Sequence, residues 1–137
     1  MRSIVILIVI GLLAFSFQGR FGRNILEGPD LAIDHRAVSV LRGAITHVRD
    51  GDTFEVNGIP VRISALDCAE NSTAEGKKIT RFAKQFKGKE TICELTGAKT
   101  YDRVVGYCSI NGIDFGKMMM DETSCKLWAK YDIWNKY

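Results

Sequence analysis

No two cysteines of this chain stand at CxxC spacing, and histidine is down to His35 and His47. Zinc is thereby left short of its usual ligands, thiolates and imidazoles. Both histidines read as structural or solvent-exposed. No apolar run reaches the ~20 residues that a membrane-spanning helix needs; the longest runs from Ile4 to Phe17 (IVILIVIGLLAFSF). An excess of one charge is missing too. Lys and Arg number 19 against 16 Asp and Glu, so the net charge of +3 does not by itself announce a nucleic-acid binder. Distribution matters more than the total, because six basic residues fall between Lys77 and Lys89.

What is present fits one domain. At 137 residues, 46% hydrophobic and 26% charged, the chain has the make-up of an ordinary globular protein, and two folded domains would be cramped. Met1, Arg2 and Ser3 ahead of the apolar run make residues 1–20 a signal peptide or an N-terminal membrane anchor, since signal-peptide apolar regions take about 7 to 15 residues. Ala14 and Ser16 suit cleavage before Phe17, which would remove residues 1–16, whereas Arg20 and Arg23 suit an uncleaved anchor. That segment is the one expected contact with a membrane. Residues 21–41 carry Gly22, Gly28 and Pro29 without a sustained period and read as a spacer with little fixed structure. The folded domain is expected over residues 42–131, as a monomer, with a short tail at 132–137.

Export to a periplasm or the exterior agrees with the cysteines, Cys68, Cys93, Cys108 and Cys125, an even number that permits three pairings. Alternation at Phe54 and Val56, then at Ile59, Val61, Ile63 and Ala65, flanks Asn57-Gly58 and predicts a hairpin. Ser72-Thr73-Ala74-Glu75 fits a capping box, and Ile79, Phe82, Ala83 and Phe86 beyond it repeat with helical period. Lys77, Lys78, Arg81 and Lys84 take the outer side of that helix, and Gly88 ends it. A second hairpin pairs Thr91–Leu95 with Val104–Ile110. Its arms place Cys93 and Cys108 nearly equidistant from the tip, which favours that disulfide; Cys68 with Cys125 follows by elimination, and buried free thiols are the alternative. After the Asn111-Gly112 turn, Phe115, Met118 and Met119 begin a second helical stretch. The fold class is mainly β with helices (α+β), expected as an OB-fold five-stranded β-barrel with flanking helices.

Three polar segments carry the chemistry: Asp50-Gly51-Asp52-Thr53, then Arg62-Ile63-Ser64-Ala65-Leu66-Asp67-Cys68-Ala69-Glu70, then Tyr101-Asp102-Arg103. Taken singly, each reads as a polar turn or surface charge. In this order and spacing, from Ala44 to about Tyr131, they resemble the staphylococcal nuclease-like (thermonuclease) family. That family's pattern runs DGDT, an arginine on a strand before an aspartate, D-x-P-E, a helix, and Y-G-R. The resemblance implies an exported calcium-dependent endonuclease that hydrolyses phosphodiester bonds of DNA and/or RNA and leaves 3′-phosphate ends. It implies Ca2+ held by Asp52, Asp67 and the backbone carbonyl of Cys68, with Arg62 and Arg103 as catalytic arginines and Glu70 acting on the attacking water. Ala69 stands where the family usually has proline, and Asp102 where glycine is common.

Those residue types suit the reaction. Phosphodiester hydrolysis gathers negative charge on a five-coordinate phosphorus, which fixed positive charge stabilises. Guanidinium is permanently charged, planar and bidentate toward phosphate oxygens, where lysine offers a point charge. Hard oxygen ligands favour calcium over zinc. Substrate strands would lie along Lys77, Lys78, Arg81 and Lys84 and stack on the spaced aromatics Tyr101, Tyr107 and Tyr131; the alternatives are that the cations are a solvated helix face and that Tyr107 packs inside. Two other function classes remain open at this level: a non-catalytic nucleic-acid or protein-binding module, and an envelope or exopolysaccharide-associated factor.

Overall fold

The structure is a computed structural model that describes residues 32–137. The expected signal peptide or anchor, and residues 21–31 of the expected spacer, lie outside the described residues. The fold is mainly β, with two helices. A long strand β1 (Ser39–Asp50) leads into β2 (Thr53–Val56) and β3 (Ile59–Ile63). Asn57 and Gly58 link the last two at φ 49° and 79°. Positive φ at both central residues gives a tight turn whose twist matches that of the strands.

The chain then makes a two-residue strand β4 (Leu66–Asp67), the helix α1 (Ala74–Ala83), and the hairpin β5 (Glu90–Thr100) and β6 (Arg103–Ile110). Asn111-Gly112, at φ 51° and 78°, turns it into β7 (Ile113–Asp114), and α2 (Phe115–Glu122) and β8 (Lys126–Leu127) follow. The main sheet runs β3-β2-β1-β5-β6-β7, and β3 also pairs in parallel with β6, so that five strands form a barrel-like ring. β1 makes this possible by serving two partners: residues 39–44 pair with β5 and residues 45–50 with β2. Register shifts fall between Ile45 and His47 and between Val48 and Asp50, and such irregularities bend a strand.

Phe54, Val56, Val61, Ile63 and Ile45 fill the ring. Phe115 of α2 meets Phe54 edge to face at 5.1 Å and Phe86 at 5.8 Å, which closes one end of the core with aromatic edges. α1 turns Ile79 and Ala83 inward and leaves Lys77, Lys78, Arg81 and Lys84 exposed, as its period predicts. Its cap differs from the expected box by one residue. Thr73, not Ser72, accepts from Gly76 N–H at 2.9 Å, and Glu75 instead accepts from Ser124 Oγ at 2.6 Å. Gly88 sits at φ 85°, just past the 3-10 turn Lys84–Phe86 that extends the helix.

Both expected disulfides are formed, Cys93–Cys108 between directly paired residues of β5 and β6, and Cys68–Cys125. The ordered unit reaches beyond residues 42–131 on both sides. Residues 39–41, expected as spacer, belong to β1, and ahead of them Arg36 donates to the Trp134 carbonyl at 2.8 Å. The expected tail is packed: Trp134 stacks on Tyr107 at 4.8 Å, and Tyr137 donates to Asp114 at 2.6 Å. Tyr107 is therefore an interior residue, 2% exposed, with its hydroxyl donating to Asp132 at 2.8 Å, and not a stacking surface for substrate. His35 and His47 are exposed.

Candidate active site

The DGDT segment makes the turn from β1 into β2. Gly51 is needed there for space: a Cβ would lie 2.4 Å from Ile79 Cγ2 and 3.1 Å from Cys68 Sγ. Asp52, behind it, is 8% exposed, and its backbone N–H donates to Asp50 Oδ1 at 3.2 Å. Thr53 pairs across the β2–β3 ladder with Arg62, which brings the Arg62 guanidinium 3.3 Å from Asp52 Oδ2. Its hydrogen bond, donated to the Ile63 carbonyl at 2.7 Å, fixes its direction.

A straight strand from Arg62 to Asp67 would separate the two by about 16 Å. The chain avoids that. β3 stops at Ile63, short of the Ala65 that the alternation suggested, and Ala65 takes φ 63°, a left-handed conformation that L-residues adopt at a cost. The resulting turn redirects the backbone, and Asp67, Cys68 and Glu70 then line the same cavity as Arg62. Burial of Ala65 and the Trp128 N–H donating to its carbonyl at 2.7 Å hold the turn in place.

The loop after β4 is held from several directions. Leu66 and Asp67 pair with Leu127 and Lys126, and Cys68 is bonded to Cys125. The Glu70 carbonyl accepts from Thr73 N–H at 2.9 Å and from Thr73 Oγ1 at 2.8 Å. Gly76 lies against that carbonyl so closely that a Cβ would come within 1.8 Å of its oxygen. The Glu70 side chain itself is exposed.

From the β5–β6 tip, Arg103 donates to Thr53 Oγ1 at 3.1 Å and to the Thr100 carbonyl at 3.3 Å. Thr53 Oγ1 in turn donates to Asp52 Oδ1 at 3.1 Å. Arg103, Thr53, Asp52 and Arg62 thus form one continuous polar chain across three strands. Tyr101, 94% exposed at the tip, lies 5.6 Å from the Arg103 guanidinium. Asp102 acts locally, receiving both Arg49 terminal nitrogens at 3.1 and 2.9 Å, which ties the tip to β1. That pairing, with the Arg49 hydrogen bond as its largest cause, holds the Asp102 carboxyl below its ordinary range.

All six residues singled out for metal and catalysis, Asp52, Arg62, Asp67, Cys68, Glu70 and Arg103, line one cavity of about 520 Å³. Tyr101 lines it as well. Lys77, Lys78, Arg81 and Lys84 do not; the first three stand on the exposed face of α1 and Lys84 is exposed at the start of the 3-10 turn that follows it. Sequence reasoning missed Thr53 as the link between the arginine and the carboxylate, and Trp128 beside Tyr131 on the cavity wall. Trp128 and Tyr131 meet edge to face at 4.4 Å, and Ser64 Oγ donates to the Tyr131 carbonyl at 2.8 Å. The aromatic spacing of the tail was the available signal, but nothing local told which ring faces in.

The electrostatics of the cavity favour a cation. Burial, the largest cause, pushes the Asp52 carboxyl up to about 7; Arg62 opposes the shift, and the Asp50 charge beside it adds to it. Four lining carboxyl groups (Asp50, Asp52, Asp67, Glu70) face three lining cations (Arg62, Lys99, Arg103), an excess of one negative charge once Asp52 is ionised. A dication would reverse that sign, and the oxygen donors are of the hard kind that calcium takes. Among the described residues no three His, Cys, Asp or Glu side chains gather into a metal-holding group. The expected set asks for two carboxylates and a carbonyl, which leaves the remaining positions of a six- to eight-coordinate ion to water and substrate oxygens. The sequence matches no protein-family model and no curated protein.

Proposed function

We propose that the protein is an exported, calcium-dependent endonuclease of the staphylococcal nuclease-like kind, on a five-stranded OB-fold barrel, acting on DNA and/or RNA. The observation that carries this reading is the polar chain Arg103–Thr53–Asp52–Arg62 in a cavity that Asp67, Cys68 and Glu70 also line. Asp52, Asp67 and the Cys68 carbonyl would hold the ion. Bound there, calcium supplies positive charge to a phosphate oxygen. Arg62 and Arg103 hold the equatorial oxygens of the phosphoryl group, and their hydrogen bonds to Ile63, Thr53 and Thr100 aim them before substrate arrives. Glu70 accepts the proton of the attacking water as the new P–O bond forms, and the bond to the 5′ oxygen breaks; that oxygen takes a proton from solvent water and leaves as a hydroxyl, and the other product ends in a 3′ phosphate. Tyr101 at the rim offers a face for base stacking. Two disulfides support work in an oxidising compartment, and no helix among the described residues is long and apolar enough to cross a membrane.

The test is cleavage of single- and double-stranded DNA and of RNA by the purified protein, in calcium and in chelator, beside Glu70→Gln and Arg62→Ala. Calcium-dependent cleavage with losses of about 10²-fold or more in both variants is expected. Tight binding without cleavage would make the protein a binding module. Thinning of an acidic exopolysaccharide with nucleic acid left intact would move it to that substrate class.

A further inference from the structure

Cys68 lies between Asp67 and Glu70, and its partner Cys125 lies beyond α2, at a sequence separation of 57. The bond therefore ties the loop that carries three of the proposed functional groups to a distant part of the chain. Its surroundings make the tie local to the cavity. The β4–β8 pairing begins next to it, and Gly51 of the DGDT turn lies so close that a Cβ there would meet Cys68 Sγ at 3.1 Å. No proline stands between Cys68 and Thr73 to restrict the backbone of the loop. β4 has only two residues, too short to fix a loop through its ladder alone.

The second disulfide differs in place and exposure. Cys93–Cys108 sits across the middle of the β5–β6 hairpin, 0% and 2% exposed, and neither of its cysteines lines the cavity. Cys68 does line it and is only partly buried. Of the two bonds, only Cys68–Cys125 has a cysteine on the cavity wall.

We infer that the Cys68–Cys125 disulfide is the positioning element of the cation-binding loop, so that the site is competent only in oxidising surroundings. The inference rests on the calcium-nuclease reading and names the regulation of that site. Reduction breaks the S–S bond; a dithiol supplies two electrons and two protons, becomes a cyclic disulfide, and leaves two protein thiols. The loop is then left with the two-residue β4–β8 ladder on one side and the Thr73 contacts to the Glu70 carbonyl on the other, so the stretch between them, with Asp67 and the Cys68 carbonyl, loses its fixed position and the ion its cage. Elements that orient metal ligands without touching the metal typically contribute about 10- to 100-fold in affinity.

The experiment uses the full protein as a Cys68→Ala/Cys125→Ala double variant, in which alanine keeps the backbone carbonyl, beside a Cys93→Ala/Cys108→Ala control. Calcium affinity is measured by calorimetry, and amide exchange of residues 67–72 is followed without calcium. The 68/125 variant should stay folded by circular dichroism, bind calcium at least about tenfold more weakly, and exchange faster at 67–72. The 93/108 control should lose stability while keeping its calcium affinity. Where the double variant fails to fold, native protein treated with dithiothreitol carries the same comparison, and reoxidation should restore the affinity. Unchanged calcium affinity and exchange after loss of the 68–125 bond would overturn the positioning role and leave the nuclease reading standing. A wild-type protein that neither binds calcium nor cleaves would overturn both.

Discussion

The Asp52 carboxylate meets the Arg62 guanidinium at 3.3 Å and still holds its proton more tightly than a free aspartate does. Burial outweighs the arginine, and the neighbouring Asp50 charge adds to it. With a folded value of about 7 against 3.8 for the unfolded chain, the folded state binds a proton that the unfolded state has lost anywhere between those pH values. Calcium-free stability therefore falls as pH rises through that window and levels off above it.

Asp52→Asn removes that penalty. In calcium-free buffer the variant should gain in melting temperature relative to wild type at pH 8, and gain little or nothing at pH 4, where both side chains are neutral. Calorimetry in buffers of different ionisation enthalpy gives a second check. Calcium binding should release close to one proton at pH 6 and almost none at pH 8. Equal proton release at both would mean that Asp52 ionises normally or takes no part.

Arg103→Lys tests whether shape or charge matters at that position. The guanidinium reaches Thr53 and the Thr100 carbonyl together, which one ammonium cannot reproduce. Steady-state kinetics should show kcat/KM lower by about 10²-fold, near the cost of removing a charge-stabilising donor altogether, with calcium affinity unchanged. Full activity in the lysine variant would reduce Arg103 to a diffuse field.

Gly51→Ala introduces a methyl group where Ile79 and Cys68 already stand. Either α1 or the Cys68 loop must yield. Urea unfolding should show a loss of about 1–3 kcal/mol, the usual scale of overpacking, accompanied by weaker calcium binding. A stability loss alone would mean that α1 absorbs the strain and the loop does not move.

Trp134→Ala should cost about 3–5 kcal/mol, as deletion of large buried aromatics does. The ring stacks on Tyr107, and its backbone carbonyl receives Arg36. A chain ending at Tyr131 should be destabilised comparably. An unchanged unfolding midpoint in either would show that residues 132–137 decorate the fold and do not hold it.

The features legible in the sequence are those set by neighbours in the chain. Asn57-Gly58 and Asn111-Gly112 announce their turns because their backbone geometry suits few other pairs, and the nearly equal arms about the hairpin tip suggest Cys93–Cys108, the two-residue difference being taken up by the register shift between Leu95 and Lys99. The polar face of α1 follows from period alone. Features set by distant partners were hidden. Nothing near Ala65 marks the left-handed turn that ends β3, because the Trp128 N–H that stabilises it comes from the other end of the domain. Tyr107 reads as an available aromatic until Trp134 and Asp132 cover it, and Asp102 reads as a departure until Arg49 meets it. The candidate site residues were legible as a set only through the family resemblance that their order carries. Their convergence depended on a bend that local patterning does not encode.

The parallel seam between β3 and β6 sets Val61 opposite Val104 and Ile63 opposite Gly106. Neither hairpin can complete this seam by itself, and partners so distant along the chain are slow to find one another during folding. Until they do, both strands offer open rows of N–H and C=O groups to any other extended chain nearby, a recognised route to aggregation. Closing the seam withdraws that invitation. Substitutions at Val61 or Gly106 should therefore appear first as clumping during refolding at high concentration, before they register as a weaker native state.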